Sequence, residues 1–247
     1  MKKILIFICL LSLVGYSYAQ NNNSGLSISI KSGVTLANMY GSDVLTETSL
    51  NGGNPDNFYA NSPASDAYKT GFNLGLLMDY KFGKHVSLGV GTSYIQKGAK
   101  INADTHWNSD LQAFEEVSGN IYWNQNYWTF EIPVTLYVPV KKNSIYLRGG
   151  LFAGFLVNSV EKGKIKIADQ EYEYTNDRTA NTTDPGYFLR AGYMYALPTR
   201  GNIFVEVAWS RSIKSVGGDL IPNPKHYFNQ TVSINVGYRY NFKFSNK

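Results

Sequence analysis

From Leu26 onward apolar and polar residues alternate with a period of two, and almost no stretch sustains a helical period. Alternation of that kind predicts strands with one apolar face. The last stretch is the cleanest: Val232, Ile234, Val236, Tyr238, Tyr240, Phe242 and Phe244 share one face, and Ser233, Asn235, Gly237, Arg239, Asn241 and Lys243 share the other. A one-residue slip in register would exchange the two faces.

Seven further stretches read the same way. Their apolar faces are Leu26/Ile28/Ile30/Val34/Leu36, Phe72/Leu74/Leu76/Met78/Tyr80, Val86/Leu88/Val90/Tyr94 and Phe130/Ile132/Val134/Leu136/Val138. Ile145/Leu147/Leu151/Phe155/Val157, Leu189/Ala191/Tyr193/Tyr195 and Ile203/Val205/Val207/Trp209 complete the set. Eight strands is an even number, as a closed barrel with both termini on one side requires.

Connections alternate between long and short. Long loops are predicted near 41–67, 101–120, 158–186 and 214–226, and tight turns at Lys81–Lys84, Lys141–Ser144 and Pro198–Gly201. Four long extracellular loops and three short periplasmic turns are the rhythm of an eight-stranded antiparallel up-and-down transmembrane β-barrel.

The faces opposite the apolar ones are small or polar and include Lys31, Asp79, Lys97, Glu131, Arg148, Arg190, Glu206 and Arg239. A soluble barrel buries its apolar face and a membrane barrel turns it to lipid, so alternation alone does not choose. Three observations choose the membrane. Aromatics gather near strand ends (Tyr80 and Phe82; Tyr122, Trp123, Tyr127 and Trp128; Tyr238, Tyr240 and Phe242), as interfacial girdles do. Of the 18 acidic residues, 15 fall in the predicted long loops and Asp79, Glu131 and Glu206 on the predicted inner face, leaving none for lipid. Finally, an aromatic-alternating strand ends the chain but for Ser245, Asn246 and Lys247. The competing fold is a soluble exported barrel binding an apolar ligand, with the Val232–Phe244 apolar face turned inward.

The N-terminus supports export. Lys2 and Lys3 precede an apolar run from Ile4 to Val14, and Ser17-Tyr18-Ala19 offers small residues before a cleavage point, so residues 1–19 are expected to be a signal peptide and 20–247 the barrel domain. At 11 residues the run is shorter than the ~20 of a membrane-spanning helix. Cys9 lies within the segment to be removed, so the mature chain is expected to hold together without disulfides. Without Lys2 and Lys3 the balance is 21 basic against 18 acidic residues, too mild to point to nucleic acid.

Several motifs, in their order along the chain, resemble the PorT-like family of outer-membrane β-barrels of the Bacteroidetes type. They are Gly33-Val34-Thr35-Leu36-Ala37-Asn38-Met39, Glu131-Ile132-Pro133-Val134 with Leu136, the glycine-rich Tyr146–Gly154 stretch, and Gly237-Tyr238-Arg239-Tyr240. The family's usual Tyr-Leu before Glu-Ile-Pro is here Thr129-Phe130. The resemblance implies a fold and a location, and no activity. The namesake's connection with protein secretion has no matching residues here.

Eight strands enclose an interior just wide enough for side chains. The eight charged inner residues are therefore expected to pair with one another as a lumen network, because confined charges are costly unless partnered. A narrow polar conduit or small-solute pocket is the transport-class alternative, and an accessory role in a secretion assembly a further one. For catalysis, His106 or His226 can be drawn with Ser109, Asp110, Ser215 or Asp219, but proximity in sequence is not geometry; His85 sits at a turn, and the three histidines match no metal-ligand spacing. The third loop carries Glu161, Asp169, Glu171, Glu173, Asp177 and Asp184, hard oxygen ligands of the kind that hold a divalent cation, in an order unlike an EF-hand. No cofactor is expected. The expected partners are outer-membrane lipid or lipopolysaccharide and, at the exposed loops, a protein or glycan.

Overall fold

A sheet whose strands each carry one apolar face must close or cover its edges, and this one closes. The computed structural model describes residues 25–53, 57–108, 112–198, 201–217 and 226–242; the expected signal peptide, Ser109, Asp110, Asp219, Lys243 and Phe244 lie outside the described residues. Eleven strands follow one another: β1 (Gly25–Gly41), β2 (Glu47–Asn51), β3 (Tyr59–Ala60), β4 (Lys69–Phe82), β5 (Val86–Asn108), β6 (Ala113–Val140), β7 (Asn143–Ile167), β8 (Gln170–Asp177), β9 (Thr183–Ala196), β10 (Gly201–Ser212) and β11 (Tyr227–Asn241).

Eight of them form the ring β1-β4-β5-β6-β7-β9-β10-β11, every pair antiparallel, and β11 returns to β1 to close it. Lys31 stands opposite Gly237 on one side and Gly75 on the other, which fixes the register of the closing strand. Of the tight turns, the first is allowed by Gly83 at φ 68° and the second places Lys141 at φ 55°.

The faces are those the alternation predicts, and they settle the competing fold. Ile234 and Val236 are 62% and 57% exposed, whereas Asn235 and Arg239 are 2% and 3% exposed. The Val232–Tyr240 apolar face points outward all around the ring, so the soluble-barrel alternative is overturned. Outward aromatics form two belts. One joins Phe72 to Tyr94, Tyr94 to Trp128, and Tyr187 to Trp209, with ring centroids 5.6–5.9 Å apart. The other holds Tyr80 with Phe82 and Tyr240 with Phe242, 5.0 Å apart in each pair. Trp123 and Tyr127, expected in a belt, are instead buried inside, at 1% and 0% exposure.

The expected loops at 101–120 and 158–186 are largely strand. β6 has 28 residues and β7 has 25, more than twice the ~10 a bilayer crossing uses, so both continue well beyond the aromatic belt. In this extension β8 pairs with β7, and β2 runs parallel to β5 with β3 on its far side. Polarity inverts there. Ile101, Ala103, Val117, Ile121, Ile165 and Ile167 point inward and pack with Leu50, Phe58, Ala60 and Tyr174 in a core of their own. Residues 42–53 and 57–68 therefore fill the extension rather than hang from it.

Candidate functional site

The lumen is built in layers. At the turn side, Tyr137, Tyr146, Met194 and Phe204 form an aromatic floor. Above it, the structure brings seven of the eight candidate charges into one cluster. Arg148 bridges Asp79 at 3.7 Å and Glu206 at 3.5 Å; Arg239 lies 3.8 Å from Asp79. Lys31 lies 3.4 Å from Glu206 and 3.8 Å from Glu131, and Arg190 grips Glu131 with two hydrogen bonds of 2.8 and 2.5 Å. Glu206 is the hub: it also accepts hydrogen bonds from the Tyr146 hydroxyl at 2.9 Å and the Asn235 amide at 3.1 Å. Charges this deeply buried hold together only when geometry and hydrogen bonds offset their desolvation, and bidentate Arg–carboxylate pairing does so most effectively.

Lys97 stands apart. It pairs at 2.7 Å with Asp184, a residue expected in the third loop and found on the inner face of β9. Asn229, bonded to Gln125, joins them. Met39, Ala64, Trp123, Val216 and Tyr227 close the lumen above. Between the two charged layers lies a cavity of about 30 Å³, lined by Lys31, Asn73, Phe188, Arg190, Ser233 and Asn235. That is room for about two water molecules and not for a solute.

Inner glycines make this packing feasible. Four large inner side chains lie over a glycine on the adjacent strand: Glu131 over Gly91, Asp79 over Gly89, Phe152 over Gly186 and Tyr146 over Gly192. A Cβ at Gly91 would stand 2.8 Å from the Glu131 side chain, and one at Gly89 2.6 Å from an Asp79 oxygen. A small or polar inner face was expected, and the aromatic share of it, including Tyr127, Phe152, Phe188 and Phe204, escaped the sequence reading. The alternating glycines opposite them were its signal.

The extension is closed at a seam by side chains in place of a backbone ladder. Glu161, fully buried, accepts from the Ala60 amide at 2.6 Å, the Tyr174 hydroxyl at 2.8 Å and Arg178 at 2.8 Å. Arg178 also donates to the Ala60 carbonyl at 2.6 Å, and Asn176 donates to that of Phe58. Burial lifts the Tyr174 hydroxyl above the ordinary phenol range, and the adjacent Glu161 adds to it.

The third-loop acids are thus spread out rather than gathered. Glu161 and Asp184 are buried partners of Arg178 and Lys97, Glu171 and Glu173 flank Lys164 at 3.8 and 3.2 Å, and Asp169 meets Lys166 at 2.7 Å. Among the described residues no three His, Cys, Asp or Glu side chains are placed to hold a metal ion. Of the histidines, His106 is 5% exposed, with Nε2 2.7 Å from the Gly52 carbonyl and Nδ1 3.6 Å from Glu115. It ties Gly52, just after β2, to β5 and β6. His85 sits with Nδ1 3.1 Å from the Tyr137 carbonyl, and the His226 amide donates to Asp43.

The chain is similar to neisserial surface protein A, at 10% identity and a TM-score of 0.42 over 88% of this chain and 99% of that one. It is similar to OprG from Pseudomonas aeruginosa, at 9% identity and a TM-score of 0.43 over 90% and 98%. It is also similar to Ail, the attachment invasion locus protein of Yersinia pestis, at 16% identity and a TM-score of 0.35 over 87% and 99%. No curated protein sequence matches the chain. The profile of the family described as outer membrane protein beta-barrel domain matches residues 18–216, four-fifths of the chain. With a closed ring of eight antiparallel strands and an apolar outer face, that match makes the chain a member of the outer membrane protein beta-barrel domain family, located in the bacterial outer membrane.

Proposed function

We propose that this protein is a sealed barrel of structural or interaction type, in which the membrane ring anchors a folded extracellular extension that meets a protein or glycan partner. The observation that carries the reading is the filling of the lumen: an aromatic floor, a paired charge cluster, a second ion pair and an apolar cap occupy it, and the cavity described among them is water-sized. Transport of a solute would need those layers to separate. The extension's separate apolar core supports the interaction half of the proposal, because a surface that must present a fixed shape needs a core beneath it. The PorT-like motifs favour that branch of the family and carry no residue pattern for secretion. We read the chain as non-enzymatic, His106 being engaged in holding Gly52, just after β2, in place.

The test is the mature protein refolded into lipid. A heat-modifiable band on a gel together with silence in planar bilayers is the expected result; discrete conductance would replace this reading with the narrow-pore one. The partner half is tested by trimming 41–67 or 158–186. Loss of a pull-down interaction with the ring still folded supports the extension as the site, and binding that survives both deletions sinks it.

A further inference from the structure

The outward surface just above the aromatic belt carries cations without carboxylate partners, and one of them is held rigidly. Arg211 is two residues beyond the belt residue Trp209 on β10, about 7 Å farther along the strand. Its guanidinium lies 3.6 Å from the centroid of the Tyr40 ring. Tyr40 in turn is fixed at both ends: its hydroxyl donates to the Ser212 carbonyl at 2.5 Å, and its ring stacks on Phe228 at 5.2 Å. Three residues on, exposed Lys214 reaches the Thr183 hydroxyl at 3.1 Å. On the opposite side of the barrel, Lys100 and Lys162 flank Tyr122 in one cross-strand row. Among the described residues Arg211, Lys214, Lys100 and Lys162 take part in no ion pair, whereas Lys164 and Lys166 farther out are each paired with acids. The carboxylates Asp104, Glu116, Glu171 and Glu173 stand farther from the belt than the Lys100–Lys162 row. Exposed Asp177, opposite Val160, and Asp66, next to the Ala67 carbonyl that accepts from the Lys100 amide, stand at the height of that row, so it carries both signs, whereas Arg211 has no carboxylate partner among the described residues.

We propose that Arg211, shelved on Tyr40, is a binding site for a headgroup phosphate of an outer-leaflet phosphorylated glycolipid, with exposed Lys214 three residues farther along the chain. Three features select this occupant. The site begins where the lipid-facing surface ends, so a headgroup is the neighbour that the membrane itself supplies. Basic side chains at that height are attracted to anionic lipid surfaces. A guanidinium held over an aromatic ring loses less freedom on binding, and its planar fork of donors matches a pair of phosphate oxygens as an ammonium does not.

The experiment is native mass spectrometry of the full mature barrel in detergent, with hexa-acylated diphosphoryl lipid A and its dephosphorylated form offered in competition. The phosphorylated lipid is expected to be retained at least tenfold over the other. Arg211→Gln is expected to reduce that preference to threefold or less, and Tyr40→Leu, which keeps the charge and removes the shelf, to give an intermediate value. Each variant is first checked for the heat-modifiable band of the folded ring, and Lys214→Gln serves as the substitute if Arg211→Gln does not fold. Equal retention of both lipids by the unaltered protein, or an undiminished preference in the folded Arg211→Gln or Lys214→Gln barrel, would overturn the proposal.

Discussion

The ring of Phe204 on β10 lies across Gly237 on β11, so close that a Cβ on Gly237 would stand 2.3 Å from the ring and 2.5 Å from the Ile30 carbonyl. Because a backbone oxygen cannot rotate away, Gly237→Ala is expected to lower folding stability by about 1–3 kcal/mol, the usual range for forced overpacking. Gly149 supplies the contrast: on the outward face of β7, its added Cβ would meet nothing nearer than 3.7 Å. Gly149→Ala is expected to shift the urea midpoint in lipid vesicles little. Equal shifts for the two variants would show that the inner glycines are not there to seat their neighbours' side chains.

Glu206 is the carboxylate that the lumen cluster shares among Lys31, Arg148 and Arg190. Four cations already face three carboxylates there, so Glu206→Gln leaves four against two. Breaking a buried pair from one side costs about 3–5 kcal/mol, most of it from the charge left behind. Glu206→Gln is therefore expected to unfold at a markedly lower urea concentration. The double variant Lys31→Met/Glu206→Gln removes the stranded cation as well, and its loss should fall clearly below the sum of the two single losses. Strict additivity in that cycle would mean that Lys31 and Glu206 are not coupled, against the 3.4 Å separation.

The membrane ring was legible in the sequence because its eight faces keep one parity from end to end, and parity is what register depends on. The extension was not, for a physical reason visible on β5 and β6. On β5 the apolar residues Val86, Leu88, Val90 and Tyr94 occupy even positions and face outward, while Ile101 and Ala103 occupy odd positions and face inward. On β6 the same change separates outward Trp128 and Phe130 from inward Val117 and Ile121. Leaving the membrane exchanges lipid outside for water outside, so the apolar side of a continuous strand moves by one residue. In a periodicity reading that slip looks like the end of a strand. On β7 a bulge opposite Asn126 and Tyr127 shifts the register instead. Of the candidate site, the charged residues could be picked out from their side of the strands. Their partition into a seven-membered cluster and a Lys97–Asp184 pair could not, because Asp184 carries no outward alternation to mark it as inner.

The Glu161 clamp makes the extension separable from the ring. Glu161→Ala leaves the Ala60 amide, the Tyr174 hydroxyl and Arg178 without their shared acceptor. An unmet buried donor costs about 1–3 kcal/mol, more when it is charged. Limited proteolysis of the folded barrel should then cut within residues 57–68 at least ten times faster than in the unaltered protein, while the heat-modifiable band remains. Simultaneous loss of that band would show that the extension and the ring fold as one unit.

Alkaline pH tests the same seam without removing an atom. The folded-state value of Tyr174 is raised by burial and by Glu161, whereas in the unfolded chain a tyrosine ionises near 10. A group whose folded value is the higher one contributes stability that is complete below the unfolded value and is lost as pH rises above it. The extension's urea midpoint, followed by the fluorescence of Trp107 near its tip, is therefore expected to hold level up to about pH 10 and to fall beyond it. Tyr174→Phe keeps the ring contact with Phe58 and deletes the titrating hydroxyl. Its midpoint should start lower, for want of the bond to Glu161, and descend less steeply above pH 10. If the variant fell as steeply as the unaltered protein, the alkaline loss would belong to other groups and the seam would be held by Arg178 and Glu161 alone.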